Sequence, residues 1–170
     1  QYYFSEMVKI GVSSAVMEVS SHSLTQGRVR DINFSTAVFT NLTRDHLDYH
    51  KTMESYRDAK MLLFTSLSAR STAVLNIEDP VSSYYAKNTL AKKILYGFNS
   101  LADISATIKN ISIKGTDFIL KTPRGSIRIF TDLIGIYNVY NILAASAACY
   151  SKGIDLEQIK SGIEGMKGVK

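Results

Sequence analysis

Apolar residues in this chain follow two rhythms. Through the first hundred residues they come as short unbroken runs, at 14–19, 36–40, 73–75 and 94–96. Runs this short and without alternation are expected of strands covered on both faces. Between them the spacing turns helical. Tyr3, Phe4, Met7, Val8 and Ile10 predict a helix over 2–11 that stops at Gly11, and a longer helical pattern runs over 51–68. Ser21-His22-Ser23 offers an N-cap for a short helix over 24–29, and Tyr84-Tyr85-Ala86 sits in another helix. Strand and helix in alternation imply right-handed crossovers and a parallel sheet.

After Asp103 the period becomes two. Ile104, Ala106 and Ile108, then Phe118 and Leu120, then Ile127 and Ile129 alternate, with breaks at Lys114-Gly115-Thr116-Asp117 and Thr122-Pro123-Arg124-Gly125. The breaks are hairpin signals, so 103–131 reads as a small antiparallel β meander. A long helix to about Ser151 and a last one near 156–164 follow. The fold class is therefore α/β, a mostly parallel sheet flanked by helices, with a meander added.

Composition narrows the function classes. A chain of 170 residues with 45% apolar content suffices for one domain core. No apolar run approaches the roughly 20 residues of a spanning helix, and the first residues lack the basic start of a signal peptide, so membrane insertion is not expected and the chain reads as cytoplasmic. A single Cys149 among alanines agrees with a reducing compartment and reads as a packing residue. The net charge of +5 permits a nucleic-acid partner, but the lysines are scattered, with only Lys92-Lys93 adjacent, so none is expected.

In an open parallel sheet, ligands collect beyond the carboxyl ends of the strands. Two apolar runs here end in polar clusters, Glu18-Val19-Ser20-Ser21-His22 and Thr40-Asn41-Leu42-Thr43-Arg44-Asp45-His46-Leu47-Asp48-Tyr49-His50, and these should face one cleft. Glu18 ends its run among apolar residues, where a carboxylate needs a partner such as a metal ion or a lysine; the other reading is a strand-end carboxylate in a hydrogen-bonded turn. His46, with Asp45, Asp48 and His50, suits a hard cation with mixed nitrogen and oxygen ligands, or a capping cluster before the helix; its spacing matches no zinc motif. Lys60 occupies a slot in the apolar stripe of Met53, Tyr56, Leu63 and Leu67. Either its stem lies on the stripe with its head in water, or desolvation disfavours the cation and frees a neutral amine for carbamylation by carbon dioxide. Ser20, Ser21 and His22 do not make a hydrolase site, because adjacent residues on an extended chain point apart and no G-x-S-x-G is present. Arg28 could return to the cleft as an anion clamp. Asn138 and Asn141, three apart on one helical face, could hydrogen-bond a purine edge or act as caps.

These motifs, together with Ala59-Lys60 and Gly135-Ile136-Tyr137-Asn138-Val139-Tyr140-Asn141-Ile142-Leu143-Ala144-Ala145, resemble the Mur ligase family, and most of all its branch that adds the third residue of the peptidoglycan stem peptide. The likeness covers nearly the whole chain, in the correct motif order, and is to the central ATP-binding domain. It implies a P-loop NTPase-like fold and an ATP-dependent amide ligase that passes through an acyl phosphate. It implies that Glu18 and His46 hold Mg2+ and that Lys60 is carbamylated and stabilises a magnesium ion near the transferring phosphate. Ser20 and Arg28 would contact the UDP-N-acetylmuramoyl dipeptide, and Asn138 and Asn141 would lie near the adenine of ATP. The second substrate would be an amino acid, diaminopimelate or lysine.

The chain departs from the family pattern at both ends. No G-x-x-x-x-G-K-[ST] phosphate loop is present, a Gly-Arg-x-Glu motif would be expected just past Lys170, and the UDP-binding and amino-acid-binding domains are not represented. The expectation is part of a longer protein, 170 residues of central domain that are inactive alone. The competing readings are a folylpolyglutamate synthetase-like ligase and a non-catalytic nucleotide- or nucleic-acid-binding module.

Overall fold

The computed structural model describes residues 2–44 and 47–166. Its centre is a six-stranded sheet: β1 (Thr36–Phe39), β2 (Thr72–Asn76), β3 (Lys92–Gly97), β4 (Ile104–Ser112), β5 (Gly115–Thr122) and β6 (Gly125–Thr131). Their order across the sheet is their order in the chain. The first four run parallel, with Val38 beside Val74 and Val74 beside Ile94, and the last three form antiparallel hairpins. The meander is therefore not a separate appendage. Tyr96 pairs with Ile104, so β4 continues the parallel sheet and the hairpins extend its edge.

Helices cover both faces. α4 (Met53–Thr65) and α5 (Val81–Asn88) lie over one face, where Ala37, Phe39, Met61, Phe64, Leu75 and Tyr85 close a core. α6 (Ile136–Ser151) and α7 (Leu156–Glu164) lie over the other, against Val74, Tyr96, Phe118, Leu120 and Ile129. β2 is the strand covered on both sides: Thr72 to Leu75 are all buried, with Ala73 and Leu75 facing one core and Val74 the other. This is the pattern its unbroken apolar run predicts.

Two expectations are corrected. Residues 14–19 form no strand; they are an irregular segment after α1 (Tyr2–Lys9), exposed except at the half-buried Val19, with Val16 fully exposed. Apolar content does not make a strand by itself; the run needs a ladder on its edge and layers on its faces, and it has neither among the described residues. The short helix is α2 (Ser21–Thr25), starting earlier than 24–29 because Ser20 rather than a later serine is its cap. The helix expected over 51–68 is α4, Met53–Thr65; a separate short helix, α3 (Leu47–His50), precedes it and is divided from it at Lys51, which has φ 66°, before Thr52 caps α4 with a hydroxyl that accepts the Ser55 N–H at 3.1 Å.

Candidate active site

Three separate stretches of chain meet around His50. Ser20 has extended backbone and its hydroxyl accepts the Ser23 N–H at 3.2 Å, which starts α2 and leaves Ser21 buried. His50, at the end of α3, is also buried, with Nε2 2.7 Å from Ser21 Oγ. His22 packs on Tyr49 with ring centroids 4.0 Å apart, and lies 5.5 Å from His50. Tyr56, in the first turn of α4, stacks on His50 at 5.0 Å with 18° between the rings.

Lys60 lies one helical turn beyond Tyr56. It is half-buried, with Nζ 5.1 Å from the Tyr56 ring centroid, where the negative face of the ring attracts an ammonium. The stripe read from the sequence holds only in part: Tyr56 and Leu67 are buried, Met53 and Leu63 are half-buried, and the buried surface of α4 is made by Tyr56, Ala59, Met61 and Phe64, with the half-buried Lys60 beside it. A lysine with its stem on apolar groups and its head beside an aromatic face is positioned by packing.

The remaining candidates divide into two groups. Glu18 is exposed, on the irregular segment just before Ser20, and not enclosed among apolar residues as its run suggests. Arg28 is exposed; its N–H donates to Ser23 O at 2.9 Å, and it lines a cleft of about 420 Å³ with Phe4, Arg30 and Asp31. His46 lies outside the described residues. Among the described residues no group of three His, Cys, Asp or Glu side chains is placed to hold a metal ion.

Asn138 and Asn141 belong to α6. Ser151, at the far end of that helix, lies 3.2 Å through Oγ from Thr36 Oγ1 at the start of β1, so α6 runs back along the sheet and its first turns lie toward the carboxyl ends of the parallel strands. The Tyr140 ring meets Phe98, just after β3, edge to face at 4.9 Å. Asn138 donates from Nδ2 to Ile134 O at 2.9 Å, so its amide oxygen is the atom directed elsewhere, and Asn141 is exposed. Burial, with Glu78 nearby, raises the Tyr140 phenol and keeps it neutral.

Sequence reasoning passed over the residues that tie these parts together. His50 and Ser21 were legible only as members of polar clusters, because their contact spans 29 positions. Asn76 and Asp79 also stand at a strand end, and the rule applied to the first two apolar runs applies equally to the third. Asn76 donates to Thr40 O at 2.8 Å and Asp79 accepts the Leu42 N–H at 2.9 Å, joining the exits of β1 and β2.

Comparison with known proteins agrees with this architecture. The Mur ligase middle domain family matches residues 1–149. The UDP-N-acetylmuramoyl-L-alanyl-D-glutamate–2,6-diaminopimelate ligase of Bacillus licheniformis is 47% identical over 176 residues, covering 100% of this chain and 36% of that protein. The ligase of the same name from Geobacillus kaustophilus is 48% identical over 175 residues, covering 99% and 36%. A solved structure of a UDP-N-acetylmuramoyl-L-alanyl-D-glutamate–2,6-diaminopimelate ligase superposes with a TM-score of 0.87 at 33% identity, over 97% of this chain and 35% of that one. The chain thus spans little more than a third of the length of these relatives.

Proposed function

This chain belongs to the Mur ligase family, and from that premise we propose that it is the central, ATP-binding part of a ligase that extends UDP-N-acetylmuramoyl-L-Ala-D-Glu by one amino acid during cytoplasmic peptidoglycan synthesis. In this reading the γ-phosphoryl group of ATP passes to a carboxylate oxygen of the D-Glu residue, giving ADP and an acyl phosphate. The amine of the incoming amino acid then attacks the acyl carbon, and phosphate leaves as the amine gives up a proton. The names of the relatives favour 2,6-diaminopimelate as that amino acid over lysine.

The single observation that carries the site assignment is the seating of Lys60. It is an amine held on the border of the α4 core, beside the cluster that joins Ser20-Ser21-His22 to Tyr49-His50. Lys60 is the residue assigned to carbamylation: the ammonium first gives up one proton, the neutral amine nitrogen bonds the carbon of carbon dioxide, and a second proton leaves, so that an anionic carbamate replaces the cation.

The donor chemistry fits Mg2+. That ion keeps several waters and takes one or two carboxylates together with substrate phosphates, so the solvent-facing Glu18 and the oxygens of carbamylated Lys60 suit it, with His46 as the proposed third protein group. When bound it would offset the negative charge that builds on the transferring phosphoryl group. Ser20 and Arg28 are assigned to the muramoyl dipeptide, and Asn138 and Asn141 to the adenine. An arginine lining a cleft and two asparagines on α6, Asn141 exposed, have the chemistry those ligands need.

The test uses the full-length ligase that carries this segment. ATP-dependent phosphate release should require both the UDP-linked dipeptide and an amino acid, with diaminopimelate preferred over lysine. Lys60→Ala should lower kcat by about 10³-fold or more while leaving dipeptide binding in place. Phosphate release that ignores the dipeptide, or a Lys60→Ala enzyme with full activity, would refute the proposal.

A further inference from the structure

The turn that leaves β3 is held at both ends and in its middle. Glu78, on the turn after β2, reaches across to its start: Oε1 accepts the N–H groups of Phe98 and Asn99, each at 2.7 Å, and the carboxylate fills the space beside Gly97 where a side chain would stand. Bonds from two adjacent amides to one carboxylate oxygen are charge-assisted, the stronger kind. Within the turn, Asn99 Oδ1 accepts the Leu101 N–H at 2.9 Å and Asn99 O the Ala102 N–H at 3.0 Å. At its end, Asp103 Oδ2 accepts the Leu95 N–H at 2.8 Å. Residues 98–103 are therefore a braced projection beyond the carboxyl end of β3, where the ligands of a parallel sheet collect.

The first side chain of this turn meets α6. The Phe98 ring lies edge to face with Tyr140, centroids 4.9 Å apart at 81°. The chain entering α6 has a separate anchor, the buried Thr116, whose hydroxyl accepts the Gly135 N–H at 3.3 Å and donates to Leu133 O at 2.8 Å. Thr116 thus fixes where the helix begins, and the Phe98–Tyr140 contact fixes how it is turned about its axis. Asn138 and Asn141 lie within the same turn of helix as Tyr140, so its orientation is also theirs.

We infer that Glu78 is a positioning residue for the purine base of ATP: through Phe98 and Tyr140 it orients the face of α6 that carries Asn138 and Asn141, without touching the nucleotide itself. This rests on the function proposed above, which assigns those two asparagines to adenine. The competing role for Glu78 is local, as the acceptor that ties the turn after β3 to the turn after β2. The two differ in whether recognition of the base depends on Glu78. An asparagine amide can bond the amino group and the neighbouring ring nitrogen of adenine together, a pairing that hypoxanthine, with a carbonyl oxygen in place of the amino group, does not offer.

The experiment compares the full-length ligase that carries this segment with its Glu78→Ala and Glu78→Gln variants; glutamine keeps a carbonyl oxygen for the two N–H groups. Dissociation constants of ADP and of inosine diphosphate are measured by calorimetry in the presence of Mg2+, and folding is checked by circular dichroism. The wild type should prefer ADP. Glu78→Ala should stay folded, bind ADP about fivefold or more weakly and bind inosine diphosphate nearly as before, so that the preference shrinks, whereas Glu78→Gln should keep most of it. A folded Glu78→Ala enzyme with the wild-type preference overturns the inference while leaving the proposed function standing. So does one that loses both nucleotides equally, or a Glu78→Gln enzyme as impaired as Glu78→Ala. If Glu78→Ala unfolds, Tyr140→Leu replaces it, keeping apolar volume but not the ring against Phe98; the preference should again shrink, and an unchanged preference overturns the idea. A wild-type enzyme that binds the two nucleotides alike, or neither, refutes the underlying reading of the site as well.

Discussion

His50 is held between two residues of different kinds: the Tyr56 ring stacks on its imidazole at 5.0 Å, and the Ser21 hydroxyl lies 2.7 Å from Nε2. One buried side chain therefore joins α2, α3 and α4. His50→Ala would leave a cavity and an unpartnered buried hydroxyl, and we expect a loss of about 2–4 kcal/mol. His50→Phe keeps a ring against Tyr56 but not the bond, so it should lose about 1–2 kcal/mol. Urea unfolding of the two variants checks the order; equal losses would mean that the ring packed against Tyr56 contributes nothing beyond the hydrogen bond.

Gly97 has φ +153° and its missing Cβ is occupied by the Glu78 carboxylate, whose Oε1 accepts the N–H groups of Phe98 and Asn99, each at 2.7 Å. Gly97→Ala must displace that carboxylate as well as strain the backbone, and should cost about 1–3 kcal/mol. The cost should be smaller in a Glu78→Ala background, where the space is open. A double-mutant cycle measures this coupling, and strict additivity would show that the carboxylate is not what excludes a side chain.

Burial raises the phenols of Tyr85 and Tyr96 well above the ordinary tyrosine range, with the Asp79 charge adding to both. A folded-state pKa above the unfolded one contributes stability that is complete below the unfolded tyrosine value of about 10 and is lost as pH rises through and beyond it. The protein should therefore be destabilised steeply by alkali. Tyr96→Phe should lose about 1 kcal/mol at neutral pH, for its bond to Phe39 O, yet fall less between neutral pH and about pH 11. Urea midpoints at the two pH values report the difference; a Tyr96→Phe variant as alkali-sensitive as the wild type would overturn the assignment.

On the meander, Arg128 bonds Asp117 with both arms, Nε to Oδ1 at 3.0 Å and Nη2 to Oδ2 at 2.6 Å. The hydrogen bonds from Arg128 hold the Asp117 carboxyl below its usual range. A depressed carboxylate contributes stability above its unfolded pKa that is lost as pH falls through the folded one. Asp117→Asn should lower stability slightly at neutral pH, by the small contribution of an exposed ion pair, and flatten the acid side of the profile below about pH 4, where the wild type loses that contribution and the two converge. Because the pair faces water, added salt should shrink the difference. An effect that grows with salt would rule out the ion pair as its source.

Local signals carried much of this fold. Gly115 and Gly125 have φ values of +132° and +133° at the starts of β5 and β6, and the tight breaks that contain them marked both hairpins. The apolar runs of β2 and α6 likewise match their buried surroundings. What stayed hidden depends on partners distant in the chain. Nothing near Ile104 announces that it pairs with Tyr96, and nothing within residues 14–19 reveals that they lie exposed. At the site, the stripe position of Lys60 was visible because Tyr56 and Leu63 flank it at helical spacing. The His50–Ser21 bond and the Asp79–Leu42 bond link positions 29 and 37 apart, beyond any local pattern.

The coincidence of strand order with chain order bears on how the molecule is made. Each strand finds its neighbour in the strand synthesised just before it, so the sheet can lengthen by one ladder at a time with short loops to close. Its two faces mature at different times. The α4–α5 side draws on residues no later than Leu95 of β3 and can close early, whereas Val74, Tyr96 and Phe118 stay wet until α6 has been made and laid back across them, its end meeting Thr36 from 115 positions away.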